Sequence, residues 1–240
     1  MISIIIPTLN ESTAIRKCLD ALKILTAIEH EIIISDGRST DDTIAICREY
    51  TDKIIVYNKS ERQTIAGGRN LGASIAHGEI LVFMDADVVV MNPNEFFARA
   101  LEMFDKNSEL LGATALLKVY LDTANREDRF FSWIVNATHY LNNNVFKFGS
   151  ASGEFQMIRR SAFEKVGGYN DNLVACEDND MFIRLAKIGK TRLATDLTVY
   201  HSGRRAHKVG WVPLLLTWIN NSIHYFLFKK AAAREWTVIR

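Results

Sequence analysis

Four short runs of apolar, largely β-branched residues mark the first 90 positions, at 2–6, 31–35, 53–57 and 80–84. They are nearly continuous rather than alternating, the pattern of strands covered on both faces. Between them apolar positions recur at helical spacing. Ile15, Leu19 and Leu22 form one stripe behind the helix start Glu11-Ser12, and segments 41–50 and 65–77 read as second and third helices. Such alternation predicts a parallel sheet wound by right-handed crossovers. Ligands bind these sheets beyond the carboxyl ends of the strands, so a polar cluster directly after a strand is the place to look for function. The second half is less regular. Helices are predicted over 93–104, 126–143, 160–166 and 177–188, and strands over 112–119, 153–158 and 192–200. No repeat, low-complexity tract or linker interrupts the chain, which predicts one compact α/β unit.

Four polar clusters fall where the sheet argument wants them. Pro7-Thr8-Leu9-Asn10-Glu11 follows the first strand, Asp36-Gly37-Arg38-Ser39-Thr40-Asp41-Asp42-Thr43 the second, and Asp85-Ala86-Asp87 the fourth, while Glu177-Asp178-Asn179-Asp180 opens a late helix. Residues two apart on an extended segment point the same way, so Asp85 and Asp87 are expected to converge. Two like charges ending a buried strand need a positive partner, and a hard divalent cation shared with phosphate oxygens supplies one; Mg²⁺ or Mn²⁺ fits. Gly67-Gly68-Arg69-Asn70 is placed to bring a guanidinium to a phosphate. Asp178 or Glu177 is suited to take a proton from an attacking hydroxyl. His201, just after the last strand, is a further candidate metal ligand. Each cluster also has a purely structural reading: a capped strand, an Asp closing its own turn, acids in a first helical turn, a satisfied histidine.

The 240 residues are 48% apolar and 24% charged, ample for a core and unlike a disordered or fibrous chain. Cys18, Cys47 and Cys176 lie far apart with no CxxC pair. That excludes a disulfide scaffold and a cysteine zinc site, and suits a reducing cytoplasm. The opening Met-Ile-Ser-Ile-Ile-Ile-Pro has no basic region and reads against a secretory signal. The net charge of +1 hides an asymmetry: residues 201–240 carry Arg204, Arg205, Lys208, Lys229, Lys230, Arg234 and Arg240 against Glu235 alone, with Trp211, Trp218 and Trp236 among them. Nothing in this pattern calls for a nucleic acid. Residues 211–228 read as a helix whose Pro213, Thr217, Asn220, Asn221 and His224 group within about 100°. Two Asn and a His make spanning costly, so a helix lying in an anionic membrane interface, with Lys229 and Lys230 at headgroup depth, is the expectation. The other reading is a terminal helix docked on the domain or on another subunit.

In this order the clusters resemble glycosyltransferase family 2, inverting enzymes of GT-A fold. The segments that carry the likeness are Ser3-Ile4-Ile5-Ile6-Pro7-Thr8-Leu9-Asn10-Glu11, Ile34-Ser35-Asp36-Gly37, Gly68-Arg69-Asn70-Leu71-Gly72-Ala73, Phe83-Met84-Asp85-Ala86-Asp87, and Gly167-Gly168-Tyr169 leading to Glu177-Asp178. The resemblance implies a Rossmann-like, mostly parallel sheet flanked by helices over 1–205, with 1–92 binding a nucleotide-diphosphate sugar, 93–205 the acceptor, and 206–240 a helical tail. It implies a UDP- or GDP-linked donor held by Pro7, Thr8, Glu11, Asp36, Arg69, Asp85 and Ala86. Asp87, His201 and Asp85 would hold Mn²⁺ or Mg²⁺, and Asp178, with Glu177 beside it, would be the general base. A glycan or lipid-linked acceptor and a place at the cytoplasmic face of a membrane complete the expectation. No QxxRW motif is present, which disfavours a processive synthase. Two other classes share parts of this pattern. A sugar-phosphate nucleotidyltransferase should carry a Gly-rich basic loop after the first strand, and Pro7-Thr8-Leu9-Asn10-Glu11 has neither feature. A non-catalytic nucleotide-sugar-binding subunit would have no use for Asp85, Asp87, Asp178 and Arg69 together.

Overall fold

The computed structural model describes residues 1–233; Arg234, Glu235, Trp236 and Arg240 of the basic tail lie outside the described residues. The strands are β1 (Ile2–Thr8), β2 (His30–Asp36), β3 (Ile54–Val56), β4 (Ile80–Met84), β5 (Val89–Val90), β6 (Leu110–Val119), β7 (Phe155–Arg159) and β8 (Lys190–His201). The helices are α1 (Ile15–Lys23), α2 (Thr43–Cys47), α3 (Ile65–Ala73), α4 (Pro93–Asp105), α5 (Arg126–Tyr140), α6 (Arg160–Lys165), α7 (Glu177–Ala186), α8 (Arg204–Val209) and α9 (Trp211–Phe228). Among the described residues the strands form one sheet in the order β3-β2-β1-β4-β7-β6-β8-β5. β1 pairs in parallel with β2 and β4, β2 with β3, and β6 with β8. β7 runs antiparallel to both its neighbours, and β5 to β8. The sheet is thus mostly parallel; of its two reversed strands, β7 falls in the half whose sequence is irregular and β5 at the end of the regular one. They matter for function. Because β7 enters from the carboxyl edge of β4, with Phe155 opposite Met84, the loop before it joins the other strand ends.

Alternation along the strands builds two cores, one on each face of the sheet. Ile2, Ile4 and Ile6 pack with Ile15 and Leu19 of α1 and Phe96 and Phe97 of α4. Ile5 and Ile33 pack with Ala66 of α3, Phe163 of α6 and Phe182 of α7. α3 lies so close to β1 that a Cβ on Gly72 would stand 2.4 Å from Ile5 Cγ2. Only glycine allows that approach, and it sets how deep the next residues of α3 reach.

The predicted helix over 126–143 ends early. Asn125 and Asp128 form a reciprocal capping box at its start, and its end widens into a π turn, Leu141–Val145. There the buried Asn143 donates to the carbonyls of His139 at 2.8 Å and Ser150 at 2.6 Å, linking α5 to the loop before β7. α8 and β5 had no signal in the sequence reading; the expected border at 205 falls inside α8.

The terminal helix forms over the expected residues and is docked by one face. Its start is held where Trp211 stacks on Phe131 at 5.3 Å and donates from Nε1 to Asp128 at 2.7 Å, with His207 Nε2 2.9 Å from the same carboxylate. Its far end is held where the Tyr225 hydroxyl donates to Asp180 at 2.6 Å. Asn221, expected on a polar outer face, is buried and donates to the Thr217 carbonyl. A second face presents Val212, Leu216, Ile219, Ile223, Phe226 and Leu227 to the outside. No described helix is long and apolar enough to cross a membrane.

Candidate active site

Six strands share one direction, so Thr8, Asp36, Met84, Val119 and His201 all end at one edge of the sheet. A cavity of about 1470 Å³ opens there. Of the residues singled out in the sequence, Pro7, Thr8, Glu11, Arg69, Asp85, Ala86, Asp87, Glu177, Asp178 and His201 line it. Asp36 does not. Wholly buried, it accepts from Thr8 Oγ1 at 2.7 Å, the Ser39 amide at 2.7 Å and the Ser39 hydroxyl at 2.6 Å. Its work is to fix the loops that present Thr8 and Gly37.

Asp85-Ala86-Asp87 is a turn, closed by the Val88 amide donating to the Asp85 carbonyl at 3.0 Å, and not the extended segment expected. The two carboxylates face one cavity but have separate cations. Asp85 accepts from Arg69 Nη2 at 3.3 Å. Asp87 accepts from the Ser202 hydroxyl and lies 3.4 Å from Arg204 Nε. Arg204 also grips Glu11 through both terminal nitrogens, at 2.6 and 2.9 Å. The backbone of Asp87 is anchored independently, its carbonyl accepting from the Tyr120 hydroxyl.

Arg69 is not the open phosphate ligand expected. It is 1% exposed, its Nη1 donating to Glu177 at 2.9 Å and its Nη2 to Asp85 and, at 2.8 Å, to the Gly153 carbonyl. It lies 5.3 Å from the Tyr169 ring centroid. One buried guanidinium therefore ties the end of β4, the loop before β7 and the start of α7. The last is reached through Cys176, whose φ of 65° is unusual for a residue with a side chain and turns the chain sharply into Glu177.

Acid outnumbers base around this hub. Burial raises Asp85 to about 7; the Arg69 charge opposes that rise, and Glu154, Asp87 and Glu177 add to it. About a third of the Asp85 side chain is exposed, but only into the cleft, where protein surrounds it. Asp178 is pushed well above the usual carboxylate range by burial and by Glu177, with Arg69 opposing. A carboxylate so placed is a stronger base than a free one.

The donor set suits a divalent cation shared with a ligand. Asp87 offers carboxylate oxygen; His201 Nδ1 accepts from the Gly203 amide at 3.3 Å, so its buried Nε2, without a hydrogen-bond partner among the described residues, carries the ring proton here and would ligate a cation on exchange of that tautomer. No three acidic, His or Cys side chains among the described residues are gathered into a complete site. Asp85, Asp87 and His201 therefore do not form a preassembled cage, and ligand oxygens would complete the shell. Ser35 Oγ and Gln63 Nε2, at the β2 end of the cavity, are likewise buried without a partner. Ser202 and Arg204 were missed because Arg204 was counted with the tail; the rule that polar residues after a strand carry function would have found both. Gln63, Gly153 and Glu154 had no signal.

On the other side of Asp178, His139 Nδ1 lies 2.7 Å from Ser150 Oγ, which donates to Asn179 at 2.8 Å, so Nδ1 carries the imidazole proton. Burial lowers His139 to about 4. The unfolded imidazole takes a proton from about pH 6.5 downward and the folded one does not until about 4. Stability is therefore lost as pH falls through that window, by about 1–2 kcal/mol at pH 5. In His139→Gln the fall in Tm between pH 7 and 5 should be correspondingly shallower; parallel curves for the two proteins would remove this account.

Residues 3–167 match glycosyl transferase family 2. Among curated proteins, the O-antigen chain rhamnosyltransferase WbaN of Salmonella anatum is 30% identical over 208 residues, covering 83% of this chain and 65% of that protein. The first curated relatives are longer, and this chain spans just under two thirds of them or less. Among solved structures, S. aureus TarS 1–349 in complex with UDP-GlcNAc aligns with a TM-score of 0.64 at 18% identity, over 83% of this chain and 57% of that one. The mannosyltransferase PcManGT of Pyrobaculum calidifontis, in complex with GDP-Man and Mn²⁺, aligns with a TM-score of 0.64 at 19% identity, over 84% and 56%. The mostly parallel sheet, the acids gathered at its carboxyl edge and the match across more than half of the sequence agree: the chain belongs to glycosyltransferase family 2.

Proposed function

We propose that this chain transfers a sugar from a nucleoside diphosphate donor to an acceptor hydroxyl, with inversion, assisted by Mn²⁺ or Mg²⁺. One observation carries the reading: Asp85, Asp87 and Asp178 line a single cavity, with Arg69 bonded to Asp85 and Arg204 beside Asp87. A pocket for one small ligand measures roughly 300–1,000 Å³, so about 1470 Å³ leaves room for two substrates.

Ser35, Gln63 and Thr8 take the nucleoside end of the donor, the unpartnered Ser35 Oγ and Gln63 Nε2 giving the base its hydrogen bonds. Asp87 and His201 would hold the cation, with Asp85 beside them, and when bound it would supply positive charge where the departing diphosphate develops negative charge. Arg204 adds fixed positive charge at the same place. Asp178 accepts the proton of the acceptor hydroxyl as its oxygen bonds to the anomeric carbon. The bond from that carbon to phosphate breaks on the opposite side, and its electron pair leaves on the β-phosphate. For an acceptor that is already an anion, Asp178 is less important.

The acceptor we infer is glycan or lipid-linked, at a membrane surface. The outward apolar stripe of α9 and the Lys229-Lys230 pair behind it favour peripheral contact with anionic lipid. The test is a thermal-shift screen of UDP-, GDP- and dTDP-sugars with and without Mn²⁺, followed by calorimetry on the hit. A ligand at a hundred times its Kd stabilises the fold by about 2.7 kcal/mol. One donor class should raise Tm by several degrees only when the metal is present; no response from any of them would end the reading.

A further inference from the structure

The cavity is not uniform. At the sheet edge its wall is polar and charged, but beyond Asp178 it continues between α5, α7 and α9, walled by Ile134, Val135, Ile183, Leu215 and Trp218. A sugar acceptor has no use for such a wall. The arm does not end blindly in the protein: Phe148, Ile219 and Phe226 belong to its lining yet are 66%, 54% and 62% exposed. Ile219 and Phe226 are also members of the outward stripe of α9, so the inner apolar wall and the outer apolar face meet along one helix edge. Lys147 and Lys187 line the same cavity, setting cationic groups beside the apolar path.

From this continuity we infer that the arm is the binding site for the hydrocarbon chain of an anionic, membrane-borne acceptor. The hydrocarbon passes from the bilayer over Ile219 and Phe226, lies against Leu215 and Trp218, and delivers a hydroxyl of the polar end to Asp178, its anionic group lying toward Lys147 and Lys187. The inference rests on the proposed transfer reaction for what happens at that polar end, but its binding prediction stands apart. α9 is the right element for the task because it is held at both ends, at Asp128 and Asp180, while the span between forms the roof of the arm.

The probe is dodecyl phosphate below its micelle concentration, with butyl phosphate as the short-chain control, titrated against the full chain and followed by the fluorescence of Trp218. Each methylene moved out of water contributes about fourfold in affinity. Dodecyl phosphate should bind at least a hundredfold more tightly than butyl phosphate, with a blue shift that is lost in Trp218→Phe. Leu215→Glu should weaken it tenfold or more, and Leu215→Met should restore it. Ile223→Glu, on the outer stripe and not in the arm, should leave this binding unchanged while lowering co-sedimentation with phosphatidylcholine–phosphatidylglycerol vesicles. Equal affinity for the two phosphates, or wild-type affinity in Leu215→Glu, overturns the inference. Nucleotide binding with Mn²⁺ is measured on the same samples. If it persists while dodecyl phosphate fails, the arm alone is wrong; if no nucleotide binds, the transfer reading is what fails.

Discussion

Asp178→Asn will lower the rate of transfer to a hydroxyl acceptor by about 10²–10⁴-fold, the usual contribution of a general base, while donor affinity stays within about threefold of wild type. The asymmetry follows from position. Asp178 sits in the first turn of α7, and the hydrogen bond recorded for its carboxylate is with the adjacent Asn179 amide, at 2.7 Å. It forms no part of the Glu11–Arg204–Asp87 group that lines the donor end. Asn keeps the shape but not the proton affinity. Removing one of the acids that crowd Arg69 also relieves repulsion with Glu177, so the variant should melt no lower than wild type. Single-turnover rates with the donor found in the thermal screen measure the effect. Undiminished turnover would show that another group takes the proton.

Asp87→Ala acts on the other substrate. Metal-dependent donor binding should fall by about a hundredfold, the equivalent of roughly 3 kcal/mol, since a cation shared between carboxylate and diphosphate contributes several kcal/mol. The fold around it should survive. The Tyr120 hydroxyl binds the Asp87 carbonyl, which alanine retains, and Arg204 keeps both hydrogen bonds to Glu11. Calorimetry with Mn²⁺ and with EDTA separates the two contributions. In wild type the chelator should weaken binding sharply, and in Asp87→Ala it should change little. A variant that still binds donor as tightly as wild type, and still responds to EDTA, would place the cation elsewhere.

What the sequence made legible was what depends on local pattern. The four β-branched runs of the first half each became a strand, because a continuous apolar run has no solvated face and must be covered on both sides. The helices over 15–23 and 93–105 followed from their buried stripes. The acids also fell where strand ends predict them. What stayed hidden depends on partners distant in the chain. Val89–Val90 is too short to show a pattern and becomes a strand only by pairing with β8. Arg69 looks the same in sequence whether it meets a phosphate or, as here, Glu177 more than a hundred residues away. Asp36 is a donor ligand by the resemblance, but the structure follows the other reading of its cluster, an Asp closing its own turn through Ser39. Arg204 reaches Glu11 across nearly the whole chain, and no periodicity reports such a contact.

The two-point fastening of α9 has a consequence for how such enzymes diversify. The segment touches the rest of the domain chiefly through Asp128, Phe131 and Asp180, while Ser202 and Arg204, just ahead of it, reach Asp87 and Glu11. Substitutions along the middle of the helix can therefore reshape what enters beneath it without disturbing nucleotide recognition. On the proposed assignment, donor choice and acceptor choice fall to different stretches of chain, and selection can adjust them one at a time.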